Sequence, residues 1–292
     1  MEKQQQILES ELIINPDGSI FHLHLCPEQL SNDIILVGDP GRVKTVASFF
    51  DSAECDVENR EFKTITGCYK GKRISVVSTG IGTDNIDIVV NELDALVNID
   101  LKTRTIKDKL TSLNIVRIGT SGGLQTNVPV GTYVIAEKSI GFDGVLNYYA
   151  RRNEICDLDF EKNFVEYTRY DKSHAAPYVV DADAELVTRI GQNDMVRGVT
   201  IAANGFYGPQ GRVLRLPLND PELNRKISMF EYKGYKVTNY EMESSAIAGL
   251  SKLMGHKAMT VCSIIANRIT GNSSTGYKGS IENLIETVLW RI

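Results

Sequence analysis

What most constrains this chain is a recurring order: a short β-rich run, then a glycine-rich stretch, then an amphipathic helix. Ile34-Ile35-Leu36-Val37 stops at Gly38-Asp39-Pro40-Gly41. Arg73-Ile74-Ser75-Val76-Val77-Ser78 ends at Thr79-Gly80-Ile81-Gly82, after which Ile86, Val89, Val90, Leu93 and Val97 recur at helical spacing. Residues 114–118 run into Gly119-Thr120-Ser121-Gly122-Gly123, read as a third turn. Residues 132–136, 196–202 and 258–265 are further strand-like runs. Met242, Ala246, Gly249, Leu250 and Leu253 share one helical face, and Ile281, Leu284, Ile285, Val288 and Leu289 another. This alternation predicts an α/β fold with a central mixed β-sheet flanked by helices. Residues 101–110 read as a short extra helix.

No repeat or low-complexity linker divides the 292 residues, so one domain, 1–292, is expected. Residues 1–18 form an N-terminal extension. Residues 147–178, rich in Tyr, Arg, Asp and Glu, read as a surface insertion, and residues 270–279, rich in Gly, Ser and Thr, as a mobile loop beside the site. The net charge of −5, without a basic run, predicts no nucleic-acid partner. Five cysteines, an odd number with no C-x-x-C pair, suit reduced thiols in the cytoplasm. The polar opening, Met1 to Gln6, has no apolar core of a secretory signal, and no apolar run reaches membrane-spanning length.

In open α/β sheets, ligands gather at the carboxyl ends of strands. Two of the glycine-rich stretches sit beside an arginine: Arg42 follows Gly38, and Arg117 precedes Gly119-Thr120. Glycine lets backbone N–H groups approach an anion, and guanidinium pairs bidentately with phosphate oxygens. Each stretch alone is equally a plain tight turn; the repeated pairing points to an oxyanion site. Glu241 and Glu243 stay open on this reading, since acids at a helix N-terminus are commonly solvated partners of its dipole.

Five blocks occur in order: Gly38-Asp39-Pro40-x-Arg42, Asn59-Arg60-Glu61-Phe62, Ser78-Thr79-Gly80-Ile81-Gly82, Arg117-Ile118-Gly119-Thr120-Ser121-Gly122 and Asn239-Tyr240-Glu241-Met242-Glu243. Together they resemble the nucleoside phosphorylase family, uridine phosphorylase type, from about Phe21 to the C-terminus. The resemblance implies that Gly38, Arg42, Arg117 and Thr120 hold phosphate, with Arg60 reaching it from a neighbouring subunit. It implies that His22 touches the ribose of the neighbour's site, that Glu243 grips the ribose hydroxyls and that Met242 packs on the sugar. The implied assembly is a homo-oligomer, at least a dimer, with a site shared between subunits.

Phe206-Tyr207-Gly208-Pro209-Gln210-Gly211-Arg212 resembles the family's uracil-reading segment. Gln210 offers donor and acceptor, Arg212 only donors, which suits a base with two carbonyls and an N–H. Arg268, after Asn267, fits the same pocket, where purine-specific relatives carry Ser-Asp. Gly208-Pro209 departs from the bacterial Pro-Gly order. The implied reaction is phosphorolysis of uridine to uracil and ribose 1-phosphate, a pentosyl transfer in pyrimidine nucleoside salvage. Arg212, Gln210 and Glu243 are its expected catalytic groups, and phosphate is a co-substrate with no further cofactor. Bacterial relatives place potassium at positions matching Glu61, Ile81 and Asn85; Asn85 replaces a serine, and no metal is expected.

Rival signals are weaker. Another nucleoside phosphorylase or a nucleosidase would share the fold, as would a non-catalytic nucleoside-binding protein. Gly119-x-Ser121-x-Gly123 is a literal G-x-S-x-G, the signature of an esterase nucleophile, with His174 and His256 downstream. An elbow needs a helix directly after the serine, whereas Leu124 to Pro129 is turn-like. His22, His24 and Cys26 would share one face of a strand and suit zinc. Gly80-x-Gly82 lacks the third glycine of a dinucleotide fingerprint, because position 85 is Asn.

Overall fold

The computed structural model describes residues 6–292; residues 1–5, part of the polar opening read above, lie outside them. Thirteen strands are found among the described residues: β1 Asp33–Val37, β2 Ser52–Asn59, β3 Phe62–Tyr69, β4 Lys72–Ser78, β5 Ile99–Asp100, β6 Thr105–Ile106, β7 Asn114–Gly123, β8 Tyr133–Gly141, β9 Tyr178–Asp181, β10 Val196–Ala202, β11 Glu231–Tyr232, β12 Tyr235–Glu241 and β13 Lys257–Asn267. The helices are α1 Pro40–Ala47, α2 Thr83–Asn98, α3 Arg152–Ile155, α4 Leu158–Thr168, α5 Ala184–Gly191, α6 Leu223–Met229, α7 Ser244–Met254 and α8 Lys278–Arg291. The fold is mixed α/β around one large sheet, as the alternation predicts.

Strand order is β11-β12-β10-β8-β13-β7-β1-β4-β3-β2, with β9 on β8. The parallel set β4, β1, β7 and β13 forms the middle. Beyond it the sheet curls back on itself. β12 meets β7 antiparallel through Asn239↔Gly123 and Tyr240↔Gly122, closing a ring of five strands: β7, β13, β8, β10 and β12. The two closing strands overlap only at their carboxyl ends, so everything those ends carry is brought to one place.

Helices cover both faces. α2 and α7 bury Val89, Leu93, Ile247 and Leu250 against Ile34, Leu36 and Ile115. On the other face α1, α5 and α8 bury Val43, Leu186, Ile285 and Leu289 against Ile35, Val116 and Val261. The strands that lie between read as continuous apolar runs for this reason.

Three expectations change. Residues 101–110 carry the turn and second strand of a small hairpin, β5–β6, with Arg104 in the turn at φ 57°, rather than a helix. His22-Leu23-His24-Leu25-Cys26 is not a strand: His24 has φ 56°, which breaks the alternation. Its imidazole lies 3.0 Å from Asp17 while His22 turns to Glu92, and among the described residues no metal-ligand cluster forms. Segment 147–178 is more than a surface insertion. Its helix α4 drives Phe160 and Phe164 into a third core cluster with Phe142, Tyr170, Val199 and Phe230. Phe164→Ala is expected to cost about 3–5 kcal/mol, as for other buried aromatic truncations, read as a lowered urea midpoint at unchanged slope.

Candidate active site

The carboxyl ends of β1, β4, β7, β12 and β13 open into a cavity of about 780 Å³. That is ample for a small-molecule ligand together with an anion. At one end stand Gly38, Arg42, Arg117 and Thr120. Asp39 caps α1 by accepting from Gly41 N, which fixes the turn that presents Arg42. None of the ion pairs among the described residues uses Arg42. Burial and the neighbouring Arg117 charge hold its pKa below the ordinary arginine value. The Asp39 charge opposes this shift without forming an ion pair, and a half-buried cation outside any ion pair is a ready anion partner.

Arg117 differs. It is 5% exposed and lies between Glu241, at 3.2 Å, and Glu243, bonded through Nη2, with Cys262 Sγ at 3.6 Å from Nη1. Burial opposes its charge, but the two carboxylates outweigh that and raise its pKa. Its Nε is buried with no protein acceptor. Glycine at 119 is required here, since a Cβ would sit 2.2 Å from Arg117 Nη1. The third glycine-rich stretch is therefore not a turn. Residues 119–123 continue β7, paired with β13 through Asn267↔Gly123, and Gly119 makes room for the Arg117 side chain rather than for a bend.

Glu241 and Glu243 are both buried, so the solvated alternative is overturned. Glu241 accepts from Glu243 N, Ser244 N and Ser244 Oγ, capping the start of α7. Burial raises its pKa to about 7, with Arg117 and Ser244 opposing and the Glu243 carboxylate adding. Glu243 Oε1 accepts from Gly82 N at 2.8 Å.

The far end of the cavity is lined by Phe206, Gln210 and Arg212, with Tyr240 and Met242 beside it. Arg212 stacks on the Phe206 ring at 3.7 Å and donates to Gln210 Oε1 at 2.7 Å and to Phe206 O. Burial and the Arg268 charge lower its pKa to about 10, which leaves it charged at neutral pH. Arg268 does not line the cavity but donates to Gln210 O at 2.9 Å. Asn224, which has no sequence signal, joins Tyr240 Oη to Gln210 O.

A sequence model of a family described as the phosphorylase superfamily matches residues 33–286. The chain belongs to this superfamily. A uridine phosphorylase of Thermococcus kodakarensis is 28% identical over 91% of this chain and 84% of its own length. One of Escherichia coli is 30% identical over 86% and 87%. A Trypanosoma brucei nucleoside phosphorylase, reported to show uridine phosphorylase activity, superposes with a TM-score of 0.82 at 27% identity, covering 95% of this chain and 98% of its own.

In this phosphorylase two further expected site residues, besides Arg268, stand apart from the cavity. Arg60 occupies the β2–β3 turn at φ 56°, its guanidinium 5.6 Å from the Phe21 ring centroid. His22 Nδ1 lies 2.6 Å from Glu92 Oε1, and Asn59 Nδ2 donates to His22 O. Ser121 lines the cavity, yet it accepts from Asn239 Nδ2 at 3.0 Å and sits within a strand, not at a strand-to-helix elbow. His256 instead accepts from Leu113 N, and His174 meets the Tyr170 ring edge to face. Among the described residues no base is bonded to the serine, so the esterase reading has no triad. The loop of residues 270–279 does reach the cavity, through Ser273, Ser274, Thr275 and Tyr277.

Proposed function

We propose that this phosphorylase cleaves uridine with inorganic phosphate, giving uracil and ribose 1-phosphate. One observation carries the reading. A single cavity has the unpaired Arg42 at one end, the Gln210–Arg212 pair at the other, and Glu243 with Met242 in its lining. The relatives' names point the same way.

Phosphate is held by Arg42, Arg117, Thr120 and the turn at Gly38. One of its oxygens attacks C1′ of the ribose as the C1′–N1 bond breaks. The sugar passes through oxocarbenium character, which the adjacent anion offsets. Glu243 grips the ribose hydroxyls and Met242 packs on the sugar. The bond's electron pair moves onto the uracil carbonyls, where Arg212 and Gln210 donate to the growing charge. The uracil anion then takes a proton from water, so the scheme calls for no dedicated general acid and no cofactor beyond the co-substrate. Stacking on Phe206 sets the plane of the base, with Arg268 supporting Gln210 from behind.

The reading places the protein in the cytoplasm as a homo-oligomer, with Arg60 and His22 completing a neighbour's site. The exposed position of Arg60, away from its own cavity, supports this. Arg60→Ala and Arg42→Ala should each be nearly inactive, while unfolding and refolding the two together should restore activity through mixed oligomers carrying one intact site. Unrestored activity in a verified mixed oligomer would return Arg60 to its own chain.

The direct test is uracil release from uridine with and without phosphate. Phosphate-dependent release with ribose 1-phosphate as product is expected. Equal release without phosphate would mean hydrolysis, and tight uridine binding without turnover would mean a binding protein.

A further inference from the structure

The two carboxylates beside Arg117 are not equivalent. Glu241 is fixed: its oxygens take the backbone of Glu243 and Ser244 and the Ser244 hydroxyl, so moving it would uncap α7. Glu243 is tied only to Gly82 N through one oxygen and to Arg117 Nη2 through the other. Both of its oxygens are thus engaged before any ligand arrives, and so is the Arg117 nitrogen it holds. Arg117 is paired with both Glu241 and Glu243, whereas Arg42 has only the charge of Asp39 nearby. An incoming phosphate therefore meets an arginine already neutralised by the chain itself.

We infer that Glu243 is an internal counter-ion exchanged during binding, so that phosphate and the nucleoside's ribose diol each strengthen the other's affinity. The inference rests on the function proposed above. Phosphate drawing Arg117 toward itself loosens the carboxylate that must accept the two ribose hydroxyls. The diol, by engaging Glu243, frees an N–H of Arg117 for phosphate. Coupling between two ligands is reciprocal, and exchange of one partially desolvated ion pair falls in the range of about 5-fold to 150-fold. Simple electrostatic addition of two independent subsites would give no such factor.

The experiment is calorimetric titration of phosphate into the full chain, alone and saturated with pseudouridine, whose C–C glycosidic bond resists phosphorolysis while its ribose diol is intact. Phosphate should bind at least about fivefold more tightly with pseudouridine present. In Glu243→Gln, phosphate alone should bind more tightly than to the parent chain, and pseudouridine should no longer change its affinity. Uridine phosphorolysis by the same parent sample separates the two layers. Turnover without coupling overturns the exchange and leaves the proposed reaction standing, whereas no phosphate-dependent turnover overturns the reaction itself. If Glu243→Gln does not fold, the parent titration alone decides: equal phosphate affinity with and without pseudouridine refutes the exchange.

Discussion

Arg117→Ala should lower stability by about 3–5 kcal/mol, because it leaves two buried carboxylates without their shared cation. Uridine turnover should fall with it, and the phosphate concentration needed for half-saturation should rise. The stability loss carries a pH signature. In the parent chain burial already raises the Glu241 pKa to about 7, above its ordinary 4.5, although Arg117 opposes the shift. Between those values the folded chain holds a proton that the unfolded chain releases, so this group's contribution falls as pH rises from about 4.5 through 7. Without Arg117 the folded pKa moves higher still. Urea unfolding should show the variant's deficit constant from pH 5 to about pH 7 and growing above it, as the parent's Glu241 ionises while the variant's still holds its proton. A deficit independent of pH would mean that the carboxylates are relieved by water or by another group.

The second large effect is expected at the other end of the cavity. Arg212→Ala should slow uridine phosphorolysis by about 10²–10³, the usual cost of removing one donor aimed at a developing anion. Phosphate affinity should be nearly unchanged, since Arg212 makes its bonds to Phe206 O and Gln210 Oε1 and touches no residue of the anion end. The loss should appear in kcat as well as in kcat/KM, because charge on uracil grows only as the bond breaks. Its stacking on Phe206 predicts a modest extra loss of base affinity. Unchanged uridine kinetics in Arg212→Ala would remove the base-pocket assignment.

These two arginines show how unevenly the site can be read from residue order. Arg212 follows Gln210 by two positions, and the local loop brings them together, so their partnership is a short-range property. Arg117 and Glu243 are 126 positions apart, and nothing in either neighbourhood announces that they pair. Residues 119–123 mislead for a related reason. Glycine, threonine and serine in a row suggest a turn, yet neighbouring strands hold the segment extended, and the glycine at 119 serves the Arg117 side chain lying over it. The polar, charged look of 147–178 likewise hides Phe160 and Phe164, because composition averages over a helix whose one face is buried.

By itself the sequence determined the alternation of strands and helices, since hydrophobic period and glycine punctuation act within a few residues. It also determined much of the chemical inventory of the cavity, from Gly38 to Glu243. Only the tertiary structure decided which charges neutralise one another, where β7 ends, that β12 closes the ring against it, and that Arg60 and His22 stand away from their own chain's cavity. Those outcomes depend on distances through space between segments remote along the chain, and on burial, which sets whether an acid or a guanidinium must find a partner.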